Sequence, residues 1–188
     1  MVLGKTVEKV KELVTAEELW RMGSRGENYE LVRGELIEMT PPGGIHGSTA
    51  VNLGSLLLSF IKARNLGVVM VETGYRLASN PDTVRGPDIS FLSATKIPSN
   101  GLPDGYIDGP PDLAVEIVSP GDTASEIQDK VQDYLAYGTP MVWVVYPQQR
   151  LVIVHDPDGT ARTLRETDTL SGEAIIPGFS CQVAEIFG

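Results

Sequence analysis

Glu116 stands inside an otherwise apolar run, Leu113-Ala114-Val115-Glu116-Ile117-Val118, and Lys130 follows it fourteen residues later on a segment of helical pattern. Side chains alternate faces along a strand, so Leu113, Val115 and Ile117 share one face and Ala114, Glu116 and Val118 the other. Both faces are mostly apolar, which predicts a central strand covered on both sides. A lone carboxylate in such a place costs several kcal/mol unless it is paired, hydrogen-bonded or bound to a metal. One reading is a satisfied structural glutamate near the exposed end of the strand. The other is a functional acid, since acids in unfavourable surroundings cluster at sites.

Asp88 is a second acid of this kind, in Gly86-Pro87-Asp88-Ile89-Ser90-Phe91. Pro87 cannot donate a ladder hydrogen bond, so it belongs at a strand start and puts Asp88 at the entry to a sheet. Two acids on neighbouring strands with a lysine nearby suit metal-assisted phosphodiester hydrolysis. The carboxylates would hold a hard divalent cation with waters, and the lysine would position or stabilise the nucleophile.

The positioning elements can be read in turn. Thr123-Ala124-Ser125-Glu126 is a capping-box pattern that opens a helix running to about Tyr137. Its apolar face is Ile127, Val131, Tyr134 and Leu135, with Lys130 at the edge, where it can snorkel to water or point along the sheet toward acids. Thr15-Ala16-Glu17-Glu18 repeats the capping box ahead of a short helix, and Arg33-Gly34 reads as a hairpin turn between Tyr29–Val32 and Glu35–Met39. Leu53, Leu56, Leu57, Phe60 and Ile61 recur at helical spacing within 48–64. Strands are expected at 68–77, 85–92, 112–119 and 141–146, with a final hairpin over 151–155 and 162–165. Residues 97–111 form a Pro- and Gly-rich loop of a length that is often functional. This order predicts an α/β sandwich around a mixed sheet.

Pro87-Asp88 followed by Glu116-Ile117-Val118 resembles the PD-(D/E)XK signature of restriction-endonuclease-like nucleases, with Val118 where the lysine normally stands. In the Uma-type endonuclease family of that superfamily the lysine has moved to the following helix. Val115-Glu116-Ile117-Val118-Ser119-Pro120, Asp129-Lys130, Tyr134, Gly138 and Trp143-Val144-Val145-Tyr146-Pro147 are similar to that group's pattern. So are Gly34-Glu35-Leu36, His46, Pro87-Asp88-Ile89 and Ile176-Pro177-Gly178-Phe179. The resemblance implies a restriction-endonuclease-like α/β core, a mixed β-sheet flanked by helices, with residues 1–14 as an N-terminal extension and 15–188 as a single domain. It also implies metal ligation by Asp88 and Glu116, with the Ile117 carbonyl as a third contact and Lys130 in the lysine role. Glu35 and His46 are the candidates for a further site position from the N-terminal part of the core. For His46 the structural alternative is a loop histidine capping the next helix, and Glu38 competes with Glu35 along the same strand. The implied cofactor is Mg2+ with Mn2+ as substitute, the implied partner is DNA, and the implied assembly is a homodimer.

The 188-residue chain is 41% apolar and 21% charged, which is globular composition. The single cysteine, Cys181, excludes an internal disulfide, and with a charged N-terminus it predicts a cytoplasmic protein. No uninterrupted apolar run approaches the roughly 18 residues of a membrane span. The net charge of -10 opposes simple phosphate attraction. That acidity, with no Lys/Arg-rich arm, keeps an alternative open: a catalytically silent module of the same fold that binds a protein partner or a metal.

Overall fold

A computed structural model of the chain describes residues 13–26 and 28–188; residues 1–12 of the expected N-terminal extension, with their helical periodicity, lie outside the described residues. Thr15 accepts the Glu18 amide and Glu18 reaches back to Thr15, so the expected capping box opens α1 (Ala16–Arg21). The hairpin of β1 (Tyr29–Val32) and β2 (Glu35–Glu38) closes tightly, with Arg33 at φ 51° and Gly34 at φ 80°. Two positive φ values in a two-residue loop are the geometry whose twist matches paired strands.

Helix α2 (Gly44–Arg64) begins four residues before the expected start, with Gly43 as its N-cap. His46 therefore lies in the first helical turn and is not a loop residue. By length and composition α2 is apolar enough to cross a membrane, a property that uninterrupted apolar runs do not reveal because Ser, Gly and Asn are interspersed. In the fold its Leu53, Leu57 and Ile61 pack on the core sheet.

The strand expected over 68–77 is two strands in two sheets. β3 (Gly67–Val71) pairs with β6 (Ile89–Ser93), and β4 (Tyr75–Ala78) pairs with β5 (Thr83–Arg85). The break falls at Glu72, with φ 50°, and Gly74, where a Cβ would meet the Tyr106 ring at 2.4 Å. Each half is a good strand by itself, and the Glu72-Thr73-Gly74 step between them marks the break. β7 (Ile107–Asp108), within the long loop, adds to β4 in parallel.

β8 (Leu113–Ile117), α3 (Ala124–Ala136) and β9 (Val142–Tyr146) form a βαβ unit whose strands run parallel. β10 (Leu151–His155) and β11 (Ala161–Arg165) complete the six-stranded sheet in the order β11-β10-β9-β8-β6-β3. The second sheet runs β2-β1-β5-β4-β7, and β12 (Thr169–Ser171) with β13 (Ser180–Gln182) makes a small ribbon before α4 (Val183–Phe187). Leu113, Val115 and Ile117 face α2, while Ala114 joins Ile127, Val131 and Tyr134 beneath α3. A mixed sheet flanked by helices results, as expected. The alternation puts Glu116 on the face that α3 covers.

Candidate active site

The two sheets part company where β3 gives way to β4 and β5 to β6. Glu72, Arg85 and Asp88 stand at this fork, and a cleft of roughly 1380 Å³ opens there. Glu116 lies at its floor, 2% exposed. Lys130 Nζ donates to Glu116 Oε2 at 2.9 Å and the Tyr134 hydroxyl donates to Oε1 at 2.8 Å. Residues four apart share a helix face, so α3 delivers both donors to one carboxylate. Lys130 does not snorkel; its side chain is 12% exposed and points inward.

Asp88 sits just ahead of β6. Its Oδ2 accepts the Ile117 amide at 2.6 Å and lies 3.1 Å from His46 Nε2. The amide beyond the β6–β8 ladder is thus satisfied by the acid that precedes the partner strand. His46 comes from the opposite side, on the first turn of α2. Asp88, Glu116, Ile117, Lys130 and His46 therefore line one cleft. Glu35 does not join them: it is exposed on β2, outside the lining.

The acid that β1–β2 contributes is Glu30. Its Oε2 accepts from Arg85 Nη1 at 2.7 Å, its Oε1 accepts the Gly86 amide at 2.9 Å, and Oε1 lies 3.7 Å from Lys130 Nζ. Arg85 also donates to Asp133 Oδ2 through Nε at 2.9 Å and Nη2 at 2.6 Å. Both Arg85 and Glu30 are 5% exposed. Glu30 carries the same signal that singled out Glu116, an acid inside an apolar strand (Tyr29-Glu30-Leu31-Val32). Arg85, at a strand end before Gly86-Pro87, has no comparable sequence signal.

The electrostatics follow from burial. Desolvation pushes the Glu116 carboxyl up to about 7; Lys130 opposes that rise, and Asp88 and Glu30 add to it. Burial works against the Lys130 charge, but Glu116 and Glu30 outweigh it and hold the ammonium above its ordinary value. His46 is raised by its hydrogen bond to Asp88 against the effect of burial. Glu72 is raised by desolvation and by Asp88. Carboxylates outnumber the basic residues Arg33, Arg85 and Lys130 along the described lining.

Among the described residues, no three His, Cys, Asp or Glu side chains form a ready cage for an ion. The Lys130 ammonium is the positive charge that lies against Glu116. Hard oxygen donors in acid excess, with a lysine as the stand-in positive charge, suit a divalent cation of the magnesium type. Part of the cleft lining is apolar. Trp20, 52% exposed, meets Tyr106 edge-to-face at 5.5 Å, with Ile37 and Leu102 nearby in the lining.

A kinked mixed sheet with acids at the fork, flanked by α2 and α3, is a restriction-endonuclease-like architecture. A solved structure from Anabaena variabilis ATCC 29413, described as a "putative nuclease belonging to DUF820", superposes with a TM-score of 0.82 at 21% identity, over 93% of this chain and 97% of that one. No curated protein matches the chain in sequence. The model of the Uma2 family, described as "Putative restriction endonuclease", matches residues 16–184. The chain belongs to that family.

Proposed function

We propose that this protein is an endodeoxyribonuclease that depends on a divalent cation, Mg2+ with Mn2+ as substitute, and hydrolyses DNA phosphodiester bonds. One observation carries the reading: Glu116, a carboxylate 2% exposed, shares a cleft with Asp88 on the neighbouring chain segment and with an inward-pointing Lys130. Asp88 and Glu116 would hold the ion, with the Ile117 carbonyl as a third oxygen. When bound, the ion supplies Lewis-acid polarisation of the phosphodiester and an acidified water. Tyr134 orients the Glu116 carboxylate, and Lys130 holds a positive charge against anionic oxygen developing in the transition state. His46 keeps Asp88 aligned. Trp20 offers a stacking face to an unpaired base. A homodimer, which would present two sites to two strands, belongs to the same proposal; the exposed Val51 and Leu58 of α2 offer it a surface.

The test is nicking and linearisation of supercoiled plasmid with Mg2+ or Mn2+, beside calorimetric titration of Mn2+. Wild type should cleave and bind; Asp88→Ala and Glu116→Ala should do neither. Cleavage that survives both substitutions would remove the assignment. The acid excess of the cleft favours a second reading, a catalytically silent module that takes a basic protein segment. Retention of such a segment, with no Mn2+ binding and no cleavage, would select it.

A further inference from the structure

Glu30 has no role in the reading above, yet its placement is tightly determined. Asp133 meets Arg85 through two hydrogen bonds, so Arg85 would keep a carboxylate partner without Glu30. Arg85 is shared by two carboxylates, Glu30 and Asp133, so one cation faces two acids there, and the next cation to Glu30 is Lys130 at 3.7 Å. Glu30 cannot drift away, because Arg85 holds one of its oxygens and the Gly86 amide the other. Asp133 lies three residues from Lys130 on α3, so the Asp133–Arg85–Glu30 chain ties that turn of helix to β1 and sets how far Lys130 must reach. Lys130 thus has two carboxylates within range: Glu116, which it occupies, and Glu30, which stands close by.

Resting on the reading that Asp88 and Glu116 hold a divalent cation, we infer that Glu30 is a positioning residue for Lys130, the carboxylate onto which the ammonium moves when a cation takes its place on Glu116. Without that second acceptor an arriving cation would leave a buried ammonium unpaired, which is strongly unfavourable. With it, Lys130 stays charged, stays in the cleft and shifts by a rotation of its flexible stem. Glu30 then strengthens cation binding without touching the ion.

The test is a cycle of Mn2+ titrations by calorimetry on wild type, Glu30→Gln, Lys130→Met and the double variant, each checked for folding by circular dichroism. Glu30→Gln should weaken Mn2+ binding about tenfold when Lys130 is present, the usual size for a supporting partner of a metal site. With Lys130→Met there is no ammonium to relocate, and the same substitution should cost less than about threefold, a non-additivity that marks action through the lysine. An equal loss in both backgrounds overturns the inference, because Glu30 then acts on the ion directly; no loss in either also overturns it. Wild type that binds no Mn2+ sinks the nuclease reading itself and the inference with it, an outcome distinct from both. If Glu30→Gln does not fold, Glu30→Asp replaces it in the same cycle: it keeps a charge for Arg85 and withdraws from Lys130, and the same outcomes decide.

Discussion

Replacing Lys130 by Met in metal-free protein should make stability fall more steeply with rising pH. Lys130 Nζ lies 2.9 Å from Glu116 Oε2. At an effective dielectric of about 20 that pair is attracted by roughly 6 kcal/mol, set against the desolvation of both ions. Without the lysine, a carboxylate 2% exposed keeps only the Tyr134 hydroxyl. It has an escape, which is to take a proton. An acid whose folded pKa lies above its unfolded value destabilises the fold progressively between the two. For wild-type Glu116 that window runs from the ordinary glutamate value of 4.5 to about 7. Between pH 6 and pH 8 the wild type should therefore lose roughly 1 kcal/mol through this group, the loss ending once it is ionised. In Lys130→Met the window extends upward, and the loss continues at about 1.4 kcal/mol per pH unit, nearly 3 kcal/mol over the same range. Urea denaturation at pH 6, 7 and 8 in EDTA reads the difference, and adding Glu116→Gln to the variant should abolish the extra slope. If Lys130→Met tracks wild type across that range, Glu116 is not held in a desolvated site and the electrostatic account is wrong.

Further expectations concern the elements that hold the site. His46 is raised by its bond to Asp88, so the stability it contributes is complete below its unfolded pKa and is lost as pH rises through the folded one. His46→Asn should accordingly cost about 1–2 kcal/mol at pH 5.5 and much less at pH 8.5 in chelator, by urea denaturation. Thr123→Ala removes the cap of α3 and should cost about 1 kcal/mol, read as a lower midpoint of thermal unfolding. Trp20→Ala should cost about 1 kcal/mol of stability through its contact with Tyr106 and weaken retention of single-stranded DNA roughly tenfold in a filter-binding assay, the loss of one stacked base. Val118→Lys in a Lys130→Ala background should recover part of the plasmid cleavage that Lys130→Ala removes; no recovery would mean that the ammonium must arrive from α3.

The βαβ unit was legible in the sequence because its signals are local and agree with one another. Thr123 and Glu126 mark where α3 starts, the alternation about Glu116 fixes which face looks up at it, and helical spacing puts Lys130 and Tyr134 on the same side. The segment from β3 to β6 was legible only as two strands, 68–77 and 85–92. Its kink falls at Glu72-Thr73-Gly74, where a polar step and a glycine interrupt the apolar run; that the Tyr106 ring, more than thirty residues on, lies against Gly74 is a tertiary contact no local pattern reports. Glu35 illustrates the same limit. It follows a correctly read turn, yet the hairpin register pairs Val32 with Glu35 at the turn end and leaves Glu30 to reach the cleft.

The place of the lysine is where local and tertiary information meet. Val118 is packed beneath α3 with Ala114 and Tyr134, on the same face as Glu116. Position 118 is partly buried just past the end of β8, so a lysine there would replace an apolar contact to reach the carboxylate two residues back. A lysine at 130 comes down from the helix itself, already beside Asp133 and within 3.7 Å of Glu30. Moving the charge to α3 thus leaves the sheet apolar where the helix must pack, and couples the ammonium to the Arg85 network.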